Sequence, residues 1–494
     1  MNERTPLMIG LEGPRADRAA VSQLRETGAV SVLLLARNIE SPAQVRRLCA
    51  ELQDKLGRPL LFAIDHEGGW VLRFQDGLTA FPGNAALGKA GETALARRVG
   101  SSMGRELGAL GIGLNLAPVL DVLGEKYNPG IHIRSFGRDP EVVDTMGRAF
   151  VRGQQVHRVA ACAKHFPGKG AARQDAHLTL PTVSLPRAEL LRRHVGRFAA
   201  ASRAGVASIM SSHAVFPSLD ASRTPATFSK PIITGLLRRR IGFKGVIISD
   251  DLCMGAVTES RGIPESAVEA FIAGHDLLIV AHLPPAQLEV AETLRAELAE
   301  GRIPRSQWNA SLRRVEALRR KASPRPGPLP APDEKTALEV SRKALELARK
   351  GEVPLPLLPG TRMAAVFPDL REVRDRFTFE GGPEAAIARM RRRLGAWPEK
   401  PSLTLAPVTS EKSVEPALRA ARKAEVVLFF CFEAMRFPGQ MRTLKALRKA
   451  AGRKLVAVLL RNPWDKDLLG PETTVLHAYG YRDCQLQALL EALR

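Results

Sequence analysis

Short apolar runs recur along the first 282 residues, and each is followed by a polar loop and then by a segment with helical spacing. Nearly continuous apolar runs of this length are typical of strands that are buried on both faces, as in a parallel sheet. The helical segments begin at Ser or Asp caps and end at Gly. The predicted strands are residues 6–13, 31–37, 59–69, 113–121, 159–168, 207–215, 245–252 and 277–282.

Eight strand–helix units in succession predict a (β/α)8 barrel of the TIM type, with the barrel domain covering residues 1–320. A doubly wound open sheet is the alternative fold. It would need a Gly-rich phosphate-binding fingerprint after the first strand, and "GLEGPRADRAA" at residues 10–20 does not supply one.

A Pro-rich stretch then interrupts the pattern, and we predict an extended linker over residues 321–339. The segment "TALEVSRKALELARKG" (336–351) has the spacing of a helix. Three further apolar runs, at 363–369, 424–432 and 454–462, alternate with helical segments. Residues 340–494 are therefore predicted to form a second, smaller α/β sandwich domain.

The chain is strongly basic, with 73 Lys and Arg against 51 Asp and Glu and a formal net charge of +22. Such a surface can attract nucleic acid, anionic lipid or acidic substrates. The arginines, however, stand in short helical bursts such as "SLRRVEALRRK", without interleaved aromatic residues or a basic low-complexity tail. This pattern indicates solvated helix faces rather than a surface that binds nucleic acid.

The cysteines and the N-terminal residues bear on the compartment. The five cysteines are scattered and form no CxxC pair, which indicates a reducing environment and argues against a structural zinc site. The N-terminal residues have no secretory-signal pattern, and no apolar run approaches the roughly 20 residues that span a bilayer. We therefore expect a cytoplasmic protein without a membrane span.

Charged residues and histidines follow six of the eight predicted strands. In a (β/α)8 barrel the carboxyl ends of the strands carry the active site, so these residues are candidates for catalysis or substrate binding. They are Asp65, His66, Glu67, Asp121, Lys164, His165, His213, Asp250, Asp251 and His282.

Two carboxylates and a histidine are the candidates for catalysis. Side chains alternate along a strand, so only one of Asp250 and Asp251 can point at a ligand above the barrel. An ionised carboxylate there can attack an anomeric carbon, although Asp250 could instead cap the following helix. His177 can shuttle protons, with Asp175 holding its tautomer, although both could also be solvated loop residues.

Other polar residues suit a sugar ligand. Lys164 and His165 can donate hydrogen bonds to sugar hydroxyls, and Asp65 can accept them from two neighbouring hydroxyls. Arg134 is a cation on the loop after the fourth strand, and its alternative role is an ion pair with Asp139 or Asp121.

The histidines could also be ligands of a metal ion. Metal-dependent barrel hydrolases generally carry His-x-His on the first strand, which here reads "MIGLEGP". Neither HExxH nor paired cysteines occur. We therefore predict neither a metal nor a cofactor, although the possible ligands would be His66, His165, His177 and His213.

Seven motifs in order resemble glycoside hydrolase family 3, and within it the β-N-acetylglucosaminidase (β-hexosaminidase) branch. The resemblance covers the whole barrel and extends to "VPLPLLPG" and "LVAVLLRNPWD" in the second domain. The motifs are "IDHEGGWVLRF" (64–74), "LNLAPVLDV" (114–122), "NPGIHIRSFGRDP" (128–140), "KHFPGKG" with "DAH" and "LP" (164–181), "MSSHAVFPSLD" (210–220), "PATFSKPIITGLLRRRIGFKGVIISDDLCMGA" (225–256) and "AGHDLLIV" (273–280).

The resemblance implies removal of terminal β-linked N-acetylglucosamine, such as that of peptidoglycan fragments, with retention of configuration. It implies that Asp250 is the nucleophile, that His177 is the acid/base and that Asp175 is its partner. It also implies that the sugar is held by Asp65, Arg134, Lys164 and His165, with His213 lining the floor of the pocket.

Three residues depart from the family pattern. Lys169 stands where a second histidine is usual, and we expect it to alter loop anchoring rather than chemistry. His66 replaces a usual glutamine. Trp70 replaces a usual arginine and either stacks on a sugar face or packs at the barrel rim; we count it among the substrate-binding candidates. The small residues Gly168, Gly170, Ala171 and Ala172 are predicted to let the loop that carries His177 swing.

Three alternatives to this hydrolase remain open. A histidine acid/base and a basic protein would also suit a phosphorylase, in which phosphate takes the place of water. The sugar could be one cleaved by another kind of β-glycosidase. A barrel that has lost catalysis could bind cell-wall fragments. The sequence leaves the oligomeric state undetermined.

Overall fold

The computed structural model describes residues 3–124, 128, 130–172, 180–258, 261–376, 382–410 and 412–494. The chain divides into two compact units. Unit 1 comprises residues 1–67, 76–78 and 91–332, and unit 2 comprises residues 68–75, 79–90 and 333–494. Segments 68–75 and 79–90 therefore belong to unit 2, although the sequence analysis counts them with the barrel. The predicted domain limits at 320 and 340 stay a prediction.

Unit 1 is built on eight parallel strands that close into a barrel. Every one of them overlaps a predicted strand, so the predicted fold class is confirmed. The barrel strands are β1 (Thr5–Gly10), β2 (Ala29–Leu34), β3 (Leu61–Ile64), β6 (Leu114–Asn115), β7 (Ala160–Phe166), β8 (Ser208–Ser211), β9 (Val246–Asp251) and β10 (Leu277–Val280). A separate two-stranded ribbon consists of β4 (His66–Gly68) and β5 (Val71–Leu72).

Helices follow the barrel strands, and the local sequence sets several of their ends. Asp17 caps the first helix by accepting a hydrogen bond from the amide of Ala20, and Ser41 caps the second in the same way. Both helices end at a glycine in the left-handed conformation. The α-helices are α1 (Arg18–Thr27), α2 (Pro42–Leu56), α3 (Asn84–Ala90, in unit 2), α4 (Thr93–Ala109), α5 (Pro140–Gln155), α6 (Arg187–Leu190), α7 (Gly196–Arg203), α8 (Gly255–Thr258), α9 (Ile263–Ala273), α10 (Pro284–Ala299) and α11 (Arg305–Lys321), with π-helical turns at Leu191–Val195 and Pro231–Arg240.

Unit 2 is a six-stranded sheet with apolar clusters on both faces. Alternate residues of each strand face opposite clusters, as Phe429 and Phe430 do, because side chains alternate along a strand. The strand order is β11-β16-β15-β14-β12-β13, and only β11 is antiparallel to its neighbour. The elements are α12 (Glu334–Ala344), β11 (Glu346–Arg349), β12 (Met363–Pro368), α13 (Gly382–Gly395), β13 (Leu403–Ala406), α14 (Glu415–Lys423), β14 (Val426–Cys431), α15 (Pro438–Ala451), β15 (Leu455–Leu459), β16 (Thr474–His477) and α16 (Asp483–Leu493).

The predicted helix at 336–351 is wrong in its second half. Helix α12 ends at Ala344, and Glu346–Arg349 forms the edge strand β11. This strand is only partly buried, so its sequence lacks the apolar run by which a central strand is recognised. Strand β13, at the other edge, was missed for the same reason. The three strands predicted for this unit are β12, β14 and β15.

No helix among the described residues is long and apolar enough to cross a membrane.

Helices α4 and α5 pack with their backbones in close approach, because glycines lie where they touch. A Cβ atom on Gly100 would lie 2.3 Å from the carbonyl oxygen of Phe150. A Cβ atom on Gly153 would lie 2.1 Å from the carbonyl oxygen of Arg97. Both distances are too short for carbon against oxygen, so a side chain at either position must push the two helices apart.

We expect Gly100→Ala to lower the free energy of unfolding by about 1–3 kcal/mol, because the added methyl group overpacks this contact. Gly196→Ala is the matched control, since this helical glycine has only an ordinary contact, at 3.5 Å, with the carbonyl of Leu191. Thermal unfolding midpoints of the two variants and the wild type test the prediction. Equal midpoints for the two variants would contradict it.

Candidate active site

The carboxyl end of the barrel brings most of the predicted site residues together. Asp65 follows β3, His213 follows β8, and Asp250 lies at the end of β9. Lys164 and His165 are the fifth and sixth residues of β7. Arg134 ends a short 3₁₀ helix, His132–Arg134, on the loop after β6.

A network of buried charges joins three of these strand ends. The Nζ atom of Lys164 lies 2.7 Å from Oδ1 of Asp65 and 2.6 Å from Oε1 of Glu67. Arg134 donates to both oxygens of Glu67, from Nη2 at 2.8 Å and from Nε at 2.9 Å. Arg134 therefore pairs with Glu67 rather than with Asp139 or Asp121.

Glu67 holds the centre of this network, and its side chain is only 2% exposed. Burial alone would raise its pKa, but the charges of Arg134 and Lys164 hold the pKa below its ordinary value. Burial likewise opposes the charge on Lys164, and Asp65 with Glu67 raises the pKa of that lysine. Glu67 thus holds Arg134 and Lys164 in position, and it is one of the strand-end candidates that the sequence indicates.

Asp121 is a second buried carboxylate that positions its neighbours. Its Oδ2 atom lies 2.7 Å from Nδ1 of His165 and accepts a hydrogen bond from the amide of His165 at 3.1 Å. Its Oδ1 atom accepts from the amide of Lys169 at 2.6 Å. Burial raises the pKa of Asp121 to about 6, although the Lys169 charge and these amides act in the opposite direction. Asp121 therefore fixes both the ring of His165 and the start of the loop that follows.

The two adjacent acids on β9 have different partners. Asp251 accepts hydrogen bonds from the amides of Cys253 at 3.1 Å and Ala281 at 3.0 Å, which ties β9 to the turn before α8 and to the end of β10. Asp250 instead faces the Nζ atom of Lys169 at 3.5 Å, and its side chain is 15% exposed.

His213 lies beneath these groups and is fully buried. Its Nδ1 atom lies 2.8 Å from Oγ1 of Thr227, and its Nε2 atom lies 2.9 Å from the carbonyl oxygen of Asp251. Burial lowers its pKa. Because Nε2 must donate to a carbonyl, the ring is suited to hold the backbone of Asp251 in place.

Trp70 is placed in unit 2. Its ring stacks on Phe432 with centroids 5.7 Å apart and meets Tyr481 edge to face at 6.1 Å. The guanidinium of Arg461 lies 4.5 Å from the centroid of the Trp70 ring. Through these contacts, Trp70 packs within unit 2.

The glycines after β7 allow the backbone to approach neighbouring parts of the chain closely. A Cβ atom on Gly170 would lie 2.0 Å from the carbonyl oxygen of Val122, so this position admits no side chain without rearrangement. The carbonyl of Gly170 accepts hydrogen bonds from the Gly124 amide at 3.1 Å and from the Asn128 side chain at 3.1 Å. The loop swing predicted from the glycines at this place stays a prediction. The catalytic candidates Asp175 and His177 lie outside the described residues.

No group of three or more His, Cys, Asp or Glu side chains is arranged to hold a metal ion among the residues that the structure describes.

Residues 7–318 match the glycosyl hydrolase family 3 N-terminal domain. The chain belongs to glycosyl hydrolase family 3. The resemblance drawn from the motifs is confirmed, and this family 3 chain is a glycoside hydrolase.

Several relatives of this family 3 chain have been named or solved. A β-hexosaminidase of Neisseria meningitidis serogroup C (strain 053442) is 39% identical over 297 residues, which are 58% of this chain and 81% of that protein. A family 3 β-N-acetylglucosaminidase of Paenibacillus sp. str. FPU-7 is 33% identical, with a TM-score of 0.92 over 99% of this chain and 94% of that one. NagZ of Neisseria gonorrhoeae, solved with N-trifluoroacetyl-D-glucosamine, is 32% identical, with a TM-score of 0.53 over 64% of this chain and 98% of that one.

We expect Glu67→Gln in this family 3 chain to lower the free energy of unfolding by about 3–5 kcal/mol, because it leaves Arg134 and Lys164 buried without their shared carboxylate. Glu12→Gln is the control, since Glu12 is 64% exposed and pairs with Arg37 at 3.6 Å on the surface. Thermal unfolding of both variants measures the effect. If Glu67→Gln were no more harmful than Glu12→Gln, the buried network would not carry the stability assigned to it.

Proposed function

We propose that the protein is a retaining β-N-acetylglucosaminidase that removes terminal β-linked N-acetylglucosamine through a covalent glycosyl-aspartate on Asp250. The observation that carries the proposal is that the two adjacent acids on β9, Asp250 and Asp251, have different partners. The Oδ1 atom of Asp251 accepts from two backbone amides, whereas the Oδ2 atom of Asp250 faces the ammonium group of Lys169 at the carboxyl end of the barrel. The names of the Neisseria and Paenibacillus relatives support the choice of sugar.

The proposed reaction has two steps. Asp250 attacks the anomeric carbon while His177 protonates the departing oxygen, so the glycosidic bond breaks as the ester bond forms. His177 then takes a proton from water, which attacks the same carbon and releases Asp250 as a carboxylate. Asp175 is assigned the role of holding the tautomer of His177. The assignment of His177 and Asp175 rests on the sequence motif.

Residues at neighbouring strand ends would hold the sugar. Asp65 and Lys164 form an ion pair at 2.7 Å, so together they present an acceptor and a donor to adjacent hydroxyls. His165 is oriented by Asp121, and Arg134 is oriented by Glu67. For Trp70, the contacts with Phe432 and Tyr481 favour packing over stacking on a sugar face.

We further propose cell-wall fragments as the source of the substrate and the cytoplasm as the place of action. The first proposal follows the resemblance to the branch that acts on such fragments. The second rests on the cysteines, since all five are free thiols.

We expect Asp250→Ala to lower kcat on an aryl β-N-acetylglucosaminide by roughly 10⁴-fold or more, because it removes the nucleophile. The matching aryl β-glucoside should be a poor substrate of the wild type. Asp54→Ala, at an exposed position on α2, is the control for loss of one carboxylate and should leave kcat unchanged. Full activity of Asp250→Ala would exclude the proposed nucleophile.

We expect His177→Ala to impair hydrolysis of a β-N-acetylglucosaminide with a sugar leaving group by roughly 10²–10⁴-fold, because that leaving group needs a proton. A dinitrophenyl glycoside should lose much less in its first step, since its leaving group departs as an anion. Added azide, which attacks without a general base, should restore turnover of the aryl substrate. Equal losses on both substrates, without rescue, would contradict the acid/base role.

The same assays separate the alternatives. Product analysis with and without phosphate distinguishes the free sugar from its 1-phosphate, and so distinguishes hydrolysis from phosphorolysis. A preference for the β-glucoside would indicate another β-glycosidase. Sugar binding without turnover would indicate a barrel that has lost catalysis.

A further inference from the structure

We infer that Lys169 is a positioning residue that acts through Asp250 and speeds the second half of the reaction, the release of the sugar from the enzyme. The inference rests on the proposed function, in which Asp250 is the nucleophile. It concerns a lysine that the sequence analysis expected to affect only the anchoring of its loop.

The backbone of Lys169 is held on both sides. Its amide donates to Oδ1 of the buried Asp121 at 2.6 Å. Its carbonyl accepts from the side chain of Asn128 and from the amide of Ala172, both at 3.0 Å. The direction in which the lysine side chain leaves the backbone is therefore fixed by contacts that do not involve its ammonium group.

The ammonium group of Lys169 lies beside Asp250, 3.5 Å from Oδ2. The lysine side chain is only 7% exposed, so the attraction between the two charges is weakly screened. At the same time, 3.5 Å is longer than a strong charge-assisted hydrogen bond, for which about 2.7–2.9 Å is usual. The other oxygen, Oδ1, accepts from the amide of Asp251 at 3.0 Å. Lys169 thus supplies charge to Oδ2 without a tight hydrogen bond to it.

The neighbouring cations are engaged with other carboxylates. Lys164 contacts Asp65 and Glu67, and Arg134 is bound to Glu67 through its Nε and Nη2 atoms. Lys169 instead forms an ion pair with Asp250. Its charge also acts against the rise that burial causes in the pKa of Asp121, and it adds to the lowering of the pKa of His213 by burial.

The charge beside Lys169 changes during the reaction. In the free enzyme Asp250 is an anion, and the pair is neutral. When a carboxylate oxygen bonds to the anomeric carbon and the leaving group departs with a proton, Asp250 becomes a neutral ester and Lys169 is a buried cation facing it. When water attacks, the electron pair of the ester C–O bond returns to Asp250, and the ion pair forms again.

The two steps are therefore affected in opposite directions. Stabilising the carboxylate makes Asp250 a weaker nucleophile in the first step and a better leaving group in the second. A buried cation without its anion disfavours the intermediate, so the intermediate should not accumulate in the wild type. The Lys169–Asp250 ion pair therefore suits an enzyme in which the covalent glycosyl-enzyme must be hydrolysed quickly.

The test uses Lys169→Met in the full chain, with a dinitrophenyl β-N-acetylglucosaminide followed by stopped-flow absorbance. We expect kcat and KM to fall together by about 10-fold, while kcat/KM changes by less than about 3-fold. A burst of about one equivalent of phenolate per enzyme should appear, because the second step becomes limiting. The burst should be absent or smaller in the wild type.

Two other variants separate charge from structure. Lys169→Arg keeps the charge and should keep kcat closer to the wild-type value than Lys169→Met does. Lys230→Met removes an exposed lysine elsewhere in unit 1 and should change neither kcat nor the burst. If Lys169→Met fails to fold, as judged by thermal unfolding, Lys169→Gln takes its place with the same expected burst.

The outcomes decide the inference. A burst with parallel loss of kcat and KM supports it. An equal loss of kcat and kcat/KM without a burst overturns it, since Lys169 would then act before or during glycosyl transfer. Unchanged kinetics also overturn it. Failure of the proposed function looks different, because the wild type would then not hydrolyse the substrate or Asp250→Ala would remain active.

Discussion

The barrel mouth depends on the requirement that a buried charge be paired. Glu67 is almost fully buried and is shared by Arg134 and Lys164. These three side chains come from the segment after β3, the loop after β6 and the end of β7, so a single carboxylate fixes three separate parts of the chain. Asp65, the sugar-binding candidate, is held against Lys164 by the same arrangement.

The same requirement assigns a different task to each of the remaining acids. Asp121 holds His165 and Lys169, and Asp251 ties β9 to β10. Asp250 lies next to Asp251 in sequence, yet its Oδ2 atom faces the ammonium group of Lys169 at 3.5 Å. The partners of these acids, rather than their residue type, distinguish the proposed nucleophile Asp250 from Glu67, Asp121 and Asp251.

A short segment of the chain that directly follows Glu67 belongs to unit 2. Residues 68–75 belong to it, and Trp70 packs there between aromatic rings and the Arg461 guanidinium. The backbone of Gly69 also accepts a hydrogen bond from Arg482 at 2.7 Å. An aromatic residue in this segment therefore has a packing role in the second unit, which a motif comparison within the barrel does not reveal.

The sequence by itself determined the barrel, the α/β character of the second unit, the family and the strand ends where the candidate residues lie. It could do so because buried strands and capped helices leave local patterns of apolar and polar residues. The half-buried edge strands β11 and β13 are not predicted from the sequence, because their residues form no such pattern. Only the tertiary structure decided that Glu67 serves Arg134, that Asp121 serves His165, that Lys169 faces Asp250 and that Trp70 packs in unit 2. The Asp65–Lys164 and Lys169–Asp250 pairs join residues 99 and 81 positions apart, and no local pattern specifies which cation meets which carboxylate. That choice is made when folding removes these charges from water and each must find a partner.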